Sequence, residues 1–493
     1  GFQIVKQTDS NKRTRSATND LQCINMTTAW LLLLVNIATT WCCSTIHVSP
    51  PDGATVIGRT MELENIGHST TFGGMRVSVD LSEPDTDDIP YNVSVHRRND
   101  TVGYISAVCE LCKPFKTQLG YVSVDLVVQN PVTARLTTEG MNEAGLTVST
   151  QVFSQTRGYM QPSTEASDTN VTNVCFAAFA DWILGTFDSV KGLREALNTT
   201  QIKIVGLNPN YGTPLPSSFT NTGLHWSIDD ASEHIVLEVL DGIIHVHNNT
   251  VGVMTNQPDF TWHLRNLNNF VNLRSSWPSN PEIQVQTEVG PVPNAFGHGF
   301  NLLGIPGDYS PPSRFVRLFY LREYAVFRNP PKERKGEAKY TDSISLVDGL
   351  LHNVFINKGT VSEPPNVTGF GEYSQYTVIK IPEARLFFYR DYVGTQWRKV
   401  KLENLDFSPK EGAPPITVSL NEGTLSIKDV TADFTAPPPA SPPSPPAQPP
   451  PEDECATFKD KAEKGKCEAC TTSKRCQKAK CRKCEKTCCQ NGV

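Results

Sequence analysis

From Cys43 onward the apolar and polar positions follow a strand-like pattern. Ser44–Val48 and Ala54–Met61 flank Pro50-Pro51-Asp52-Gly53, and strand runs on either side of such a turn predict a hairpin. Further strand-type runs lie at Met75–Val79, Val102–Val108, Tyr121–Val128 and Leu146–Val152. The period then lengthens. Phe176, Phe179, Ile183 and Phe187 recur three or four apart, which predicts an amphipathic helix over Asn173–Phe187 with Trp182 beside the apolar face. Ser189–Leu197 opens on a serine cap ahead of a helical run. Strand character returns at Leu224–Ile228, Ile235–Val239 and Ile243–Val246, and again at Tyr376–Ile381 and Arg385–Tyr389. Phe260–Leu273 and Ser313–Phe327 read as helices, the second starting just after Pro311-Pro312. Strand blocks and helix blocks alternate without a βαβ rhythm, so the pattern predicts an α+β fold of antiparallel sheets with segregated helices.

Two segments break this pattern. Ala29–Ala38 is an apolar run of ten, too short to span a bilayer, and leads through small and polar residues to Trp41-Cys42-Cys43. That is the layout of a signal peptide, with Met26 as its start and residues 1–25 as an upstream extension, so residues 1–42 are expected to be absent from the working protein. Sequons at Asn92, Asn99, Asn170, Asn198, Asn248 and Asn366 agree with export, to the exterior or to the lumen of an acidic secretory compartment. No later segment is long and apolar enough to cross a membrane. Residues 436–451 hold ten prolines in sixteen, an extended polyproline spacer that makes 436–454 a linker.

Composition adds that the parts are unlike. Of 493 residues 38% are apolar and 19% charged, enough to bury a core and to exclude wholesale disorder. From Cys455 to the end there are eleven Lys/Arg and four Asp/Glu, a surplus of +7, so a net charge of −6 leaves −13 on the remainder. An acidic body argues against nucleic acid as a partner. Eight of 14 cysteines fall in residues 455–493, which reads as a disulfide-stapled basic module; Cys467-x-x-Cys470 and Cys481-x-x-Cys484 also have zinc-ligand spacing. Its charge suits an acidic polysaccharide. Cys109 and Cys112 suggest a structural loop disulfide, with Cys175 or Cys42 as other possible partners. His245 and His247 share a strand face but lack a third ligand in the sequence, so no metal and no cofactor is expected.

The informative chemistry is at Cys43. Cleavage after Cys42 would leave a chain that starts with cysteine, a nucleophile and a base in one residue. The thiol titrates near ~8.5 and an α-amine near ~7.7, so close to neutrality the amine can accept the thiol proton. The thiolate can then open an amide carbonyl to a thioester.

With Cys43-Ser44-Thr45-Ile46 and Gly58-Arg59-Thr60-Met61-Glu62, the chain resembles the choloylglycine hydrolase and penicillin V acylase family of N-terminal-nucleophile amidohydrolases. Gly140-Met141-Asn142-Glu143-Ala144-Gly145-Leu146 extends the likeness, as do Val253–Phe260 with Trp262-His263-Leu264, and Gly304–Phe315. The resemblance runs from about Cys43 to Lys401 and implies a four-layer αββα fold over residues 43–435. It also implies roles. Cys43 is the nucleophile and its amine the base, Arg59 favours the thiolate, and Glu62 holds the amine. Asn256 donates to the oxyanion and Arg314 supports the cluster.

Two positions depart from the family pattern. Glu62 stands where Asp is commoner, and Val152 stands where an oxyanion or substrate-orienting Asn or Tyr is usual, which makes its neighbour Gln151 a substrate-binding candidate. The tail, ending Thr487-Cys488-Cys489, resembles ShK-toxin-type modules but has eight cysteines where six are usual. The expected function is hydrolysis of a linear N-acyl amide by a secreted enzyme that could form a homo-oligomer. The rival is an impaired relative that only binds polysaccharide or cell wall.

Overall fold

The computed structural model describes residues 43–430, apart from 50–53, 66–68, 73–74, 79–90, 103–111, 130–132, 154–158, 161–170, 207–222, 276–285, 292–298, 326–333, 362–370, 411–415, 422–424 and 426–429. The leader, the Asn170 and Asn366 sequons, the proline spacer and the cysteine-rich tail lie outside these residues. Two compact units divide the chain, Gly1–Ser426 and Ile427–Val493. The first unit carries both large sheets and the helices that pack on them.

In chain order its main strands are β1 (Ser44–Val48), β2 (Val56–Asn65), β3 (Tyr91–His96), β4 (Tyr121–Gln129), β5 (Thr133–Asn142), β6 (Thr147–Phe153), β7 (Gly223–Asp229), β8 (His234–Leu240), β9 (Ile243–Asn248), β10 (Val253–Thr255), β11 (Gly371–Ile381), β12 (Leu386–Asp391), β13 (Arg398–Lys401) and β14 (Ile416–Ser419). The helices are α1 (Phe179–Thr186), α2 (Val190–Thr199), α3 (Phe260–Asn266), α4 (Pro311–Tyr324) and α5 (Thr341–His352). A six-stranded sheet runs β10-β1-β2-β11-β12-β13, and an eight-stranded sheet runs β9-β8-β7-β6-β5-β4-β3-β14. All neighbours in both sheets are antiparallel.

The sheets face one another, and helices cover their outer sides. Alternation along β1 and β2 sends Ile46, Val48 and Val56 outward onto Val347, Leu350 and Leu351 of α5. Each such burial stabilises the fold by about 1.5–3 kcal/mol. Gly58 lets α5 come close, since a Cβ there would lie 2.4 Å from Val347 Cγ1. Gly140 does the same on the other sheet, 2.3 Å from Leu184 Cδ1 of α1. This is the four-layer αββα arrangement that the family resemblance implied.

Several element assignments change. Val171–Cys175 forms a short parallel strand with Gln201–Val205, and α1 begins only at Phe179 after a turn of 3-10 helix. Apolar residues here serve a strand end and a helix start, which one 3.6-residue period merges. Ser189 caps α2, its Oγ accepting from Gly192 N at 3.2 Å. Phe260–Leu273 is a shorter helix than expected, giving way to 3-10 geometry over Leu267–Phe270. Helix α5 had no counterpart in the pattern reading, although Ile344, Val347 and Leu351 carry helical spacing. Cys112 is a free thiol and so takes no part in the expected loop disulfide, while Cys109 lies outside the described residues; Cys175 is disulfide-bonded. Among the described sequons, Asn99, Asn198 and Asn248 are exposed, whereas Asn92 is half-buried in β3. No helix among the described residues is long and apolar enough to cross a membrane.

Candidate active site

Strand register assembles the site. Ser44 of β1 lies opposite Thr255 of β10, which brings Cys43 beside Asn256 at the ends of the two strands. On the other side Thr45 pairs with Arg59 of β2. Residues two apart share a face, so Cys43, Arg59 and Met61 look toward the eight-stranded sheet. Glu62 belongs to the opposite face, where Arg314 arrives from the first turn of α4. The three-residue spacing between Arg59 and Glu62 therefore brackets Cys43 from two sides.

Cys43 is fully buried. Arg59 Nη2 donates to its Sγ at 3.3 Å, and Met61 Sδ lies 3.5 Å from the same sulfur. Burial pushes the thiol above its ordinary pKa, Arg59 pulls it back, and Glu62 raises it again. The guanidinium of Arg59 is held by Thr150 O at 2.7 Å, Thr138 O at 3.2 Å and Tyr376 Oη at 2.8 Å. It also lies 3.2 Å from Glu139 Oε1 as an ion pair. With Met61 Sδ at 2.9 Å from Nη2, six contacts on one planar cation leave it little freedom to turn from the sulfur.

Behind the backbone of Cys43, Arg314 Nη1 donates to Cys43 O and Ser44 Oγ, both at 2.6 Å, and Nη2 donates to Asn256 Oδ1 at 2.9 Å. Cys43 N donates to the same Oδ1 at 2.6 Å, and Asn256 Nδ2 donates to Val152 O at 2.8 Å. His263, kept neutral with its pKa pushed down to about 4 by burial, places Nε2 3.0 Å from Asn256 O. Buried Glu62 accepts from Ser374 Oγ at 2.5 Å through Oε1, while Oε2 has no hydrogen-bond partner among the described residues. Burial raises its pKa to about 7 against the pull of Arg314 and Ser374.

All five residues expected to carry the reaction thus lie around one sulfur or its backbone. The detail differs in one respect. Cys43 N meets Asn256 Oδ1, whereas Glu62 was expected to hold it. In this chain Cys43 is still joined to Cys42, so its nitrogen is an amide with one hydrogen, and Asn256 takes it. A small cavity is lined by Cys43, Met61, Leu136, Thr138, Thr150, Gln151, Val152 and Leu224. Gln151 is therefore at the site, with Nε2 on Thr45 Oγ1 at 2.5 Å and Oε1 unpartnered among the described residues. Sequence reasoning missed Tyr376, Thr138, Ser374 and Glu139, which lie on distant strands and carry no motif.

His47, Asp229 and His234 form a separate cluster whose donor atoms all lie within 4.8 Å of one another. The imidazoles stack 3.7 Å apart at 16°, with His234 Nδ1 3.1 Å and His47 Nδ1 3.7 Å from Asp229 Oδ1. Near-parallel rings aim their in-plane lone pairs side by side, so the cluster reads as one carboxylate shared by two imidazoles. His247 faces Glu238 at 3.5 Å, a carboxylate partner its strand spacing did not reveal.

Residues 43–416 match the family of linear amide C–N hydrolases, choloylglycine hydrolase family. The chain belongs to the choloylglycine hydrolase family. Its members act on linear amide C–N bonds, so this chain is a hydrolase of that class. It is 33% identical over 276 residues to a bile salt hydrolase/transferase of Clostridium perfringens, covering 54% of this chain and 74% of that relative. A bile salt hydrolase/transferase of Lactiplantibacillus plantarum is 29% identical over 270 residues, with the same coverage. A solved conjugated bile acid hydrolase from Clostridium perfringens superposes with a TM-score of 0.57 at 24% identity, over 79% of this chain and 99% of that one. The α+β N-terminal-nucleophile fold of that hydrolase is the fold of this family member.

Proposed function

We propose that this family member is a secreted cysteine amidohydrolase that cleaves a linear N-acyl amide through a thioester on Cys43. Removal of residues 1–42 turns the Cys43 amide into an amine. Asn256 Oδ1 already accepts from that nitrogen, and the open Oε2 of Glu62 is a buried acceptor for an ammonium hydrogen. The amine takes the thiol proton and Sγ attacks the acyl carbon, forming C–S. The C–N bond breaks as the amine returns that proton to the leaving nitrogen. Water then adds to the thioester, C–S breaks, and the acid leaves as the thiol is restored. The second hydrogen of Asn256 Nδ2 is available to the developing oxyanion, a role typically worth about 10²–10³ in rate.

The observation that carries this reading is the Arg59 guanidinium 3.3 Å from a buried sulfur at the start of β1. Substrates are carried over from the family as a class: N-acyl amino acids, N-acylethanolamides, N-acyl homoserine lactones, penicillin V-type side chains and conjugated bile acids. The relatives named for bile salts place bile acid amides first in a screen. Export rests on the apolar run at 29–38 and on the exposed sequons at Asn99, Asn198 and Asn248. The deciding experiment sequences the N-terminus of the secreted product and screens it for amine release. Turnover by a product that does not start at Cys43, or undiminished turnover by Cys43→Ser, overturns the reading.

A further inference from the structure

We propose that Lys380 is a positioning residue for the nucleophile: by holding one oxygen of Glu139 it keeps the Arg59 guanidinium turned to the Cys43 sulfur. The proposal rests on Cys43 being the nucleophile. Lys380 lies on the face of β11 that looks into the space between the sheets, and both it and Glu139 are fully buried. Lys380 Nζ is 2.5 Å from Glu139 Oε2 and 2.9 Å from Ser149 Oγ, and Ser149 Oγ donates to the same Oε2 at 3.1 Å. Only Oε1 remains for Arg59, at 3.2 Å.

The result is a buried row of alternating charge: Lys380 positive, Glu139 negative, Arg59 positive, and then the sulfur. With a neutral thiol these three groups sum to one positive charge in a site where charge is poorly screened, with Asp229 facing the Lys380 end of the row. The Cys43 thiolate completes it. Without Lys380, only the neutral Ser149 hydroxyl is left on Glu139 Oε2, and the carboxylate, freed of its cation, competes more strongly with the sulfur for the one guanidinium. Other groups also face these residues. Arg314, Glu62, Tyr376 and Tyr91 act on Cys43 or its Arg59 partner, and Asp229, itself beside His47 and His234, feels Lys380. None of them contacts Glu139 Oε2 in the described residues.

The test follows the pH dependence of iodoacetamide alkylation of the Cys43 peptide by mass spectrometry, on the full secreted chain. Lys380→Met is expected to raise the alkylation midpoint by about one pH unit, slowing labelling about tenfold below it. Glu139→Gln is expected to lower the midpoint, because it leaves two cations near the sulfur. The double variant, with both charges gone, is expected to return toward wild type. A purely structural role would give shifts of one sign, or no shifts, and no mutual rescue; either result overturns the proposal. Should Lys380→Met fail to fold, the Glu139→Gln shift and its reversal in the double variant still decide it. Amine release is read on the same samples. Hydrolysis that survives Cys43→Ser removes the underlying reading, whereas Cys43-dependent hydrolysis with unmoved midpoints removes only the role of Lys380.

Discussion

The two faces of the six-stranded sheet obey different physics. Toward α4 and α5 the strands present Ile46, Val48, Val56, Ile379 and Ile381 to Phe315, Val347 and Leu351, an apolar contact that is tolerant of detail. Toward the eight-stranded sheet they present Arg59, Lys380 and His47 as well as Met61 and Tyr376, and the partner strands answer with Glu139, Ser149 and Asp229. Buried charges are costly without partners, so this face is specific along its length, whereas the other is adhesive except at its end beside Cys43, where buried Glu62 and Arg314 lie. The nucleophile sits on the specific face, and its backbone is held from the adhesive one.

The comparison breaks most visibly at Cys43. Cys43→Ser is expected to lower amine release by at least about 10⁴-fold with an unchanged urea midpoint, since only the sulfur is replaced. An equal loss of stability would mean that the thiol belongs to the packing. Asn256→Ala, at the strand end between the faces, is expected to cost about 10²–10³ in kcat, with little change in KM, through loss of an oxyanion donor. A change confined to KM would place Asn256 in substrate binding alone. On the adhesive face Leu351→Ala is expected to cost about 2–5 kcal/mol in denaturant unfolding while the alkylation midpoint of Cys43 stays put. If that midpoint moved, the two faces would be coupled.

Acid provides the gentlest probe. His47 is held neutral, its pKa pushed by burial from 6.5 to about 3, with His234 adding to the fall and Asp229 opposing it. Between those values the unfolded chain binds a proton that the folded chain does not. Stability is therefore expected to fall as pH drops from about 6.5 toward 3. Urea midpoints of wild type and His47→Gln measured at pH 7 and pH 5 should converge on acidification, with His263 supplying part of the remaining slope. Parallel curves would remove His47 from the acid response. Glu62 works in the opposite direction. Its folded pKa of about 7 lies above the ordinary 4.5, so its contribution is lost as pH rises through that window and gained as pH falls; Glu62→Gln, which removes this offset, is expected to steepen the loss of stability between pH 7 and pH 5.

Much of the site was legible because its residues lie on neighbouring stretches of chain or in recognisable blocks. Arg59 falls on one predicted hairpin and Cys43 and Glu62 directly adjoin its strands, and period-two alternation assigns Arg59 and Glu62 to opposite faces. Asn256 and Arg314 were found through their blocks, and Gln151 as the neighbour of an unexpected valine. Helix α1 was overextended because a parallel strand pair and a helix start share one apolar run. Tyr376, Thr138, Glu139 and Lys380 carried no local signal, since nothing in their neighbourhoods shows which buried group they meet.

The sequence by itself determined the strand and helix periods, the antiparallel α+β class and the residue types that can attack an amide. Those depend on neighbours along the chain, whose side chains the backbone places at fixed intervals. Only the tertiary structure decided which charges share the space between the sheets, that Asn256 rather than Glu62 receives the Cys43 amide, and that Arg59 is shared between a carboxylate and a sulfur. Electrostatic pairing acts through space at 3–4 Å, and which distant strands come that close is set by the packing of the sheets.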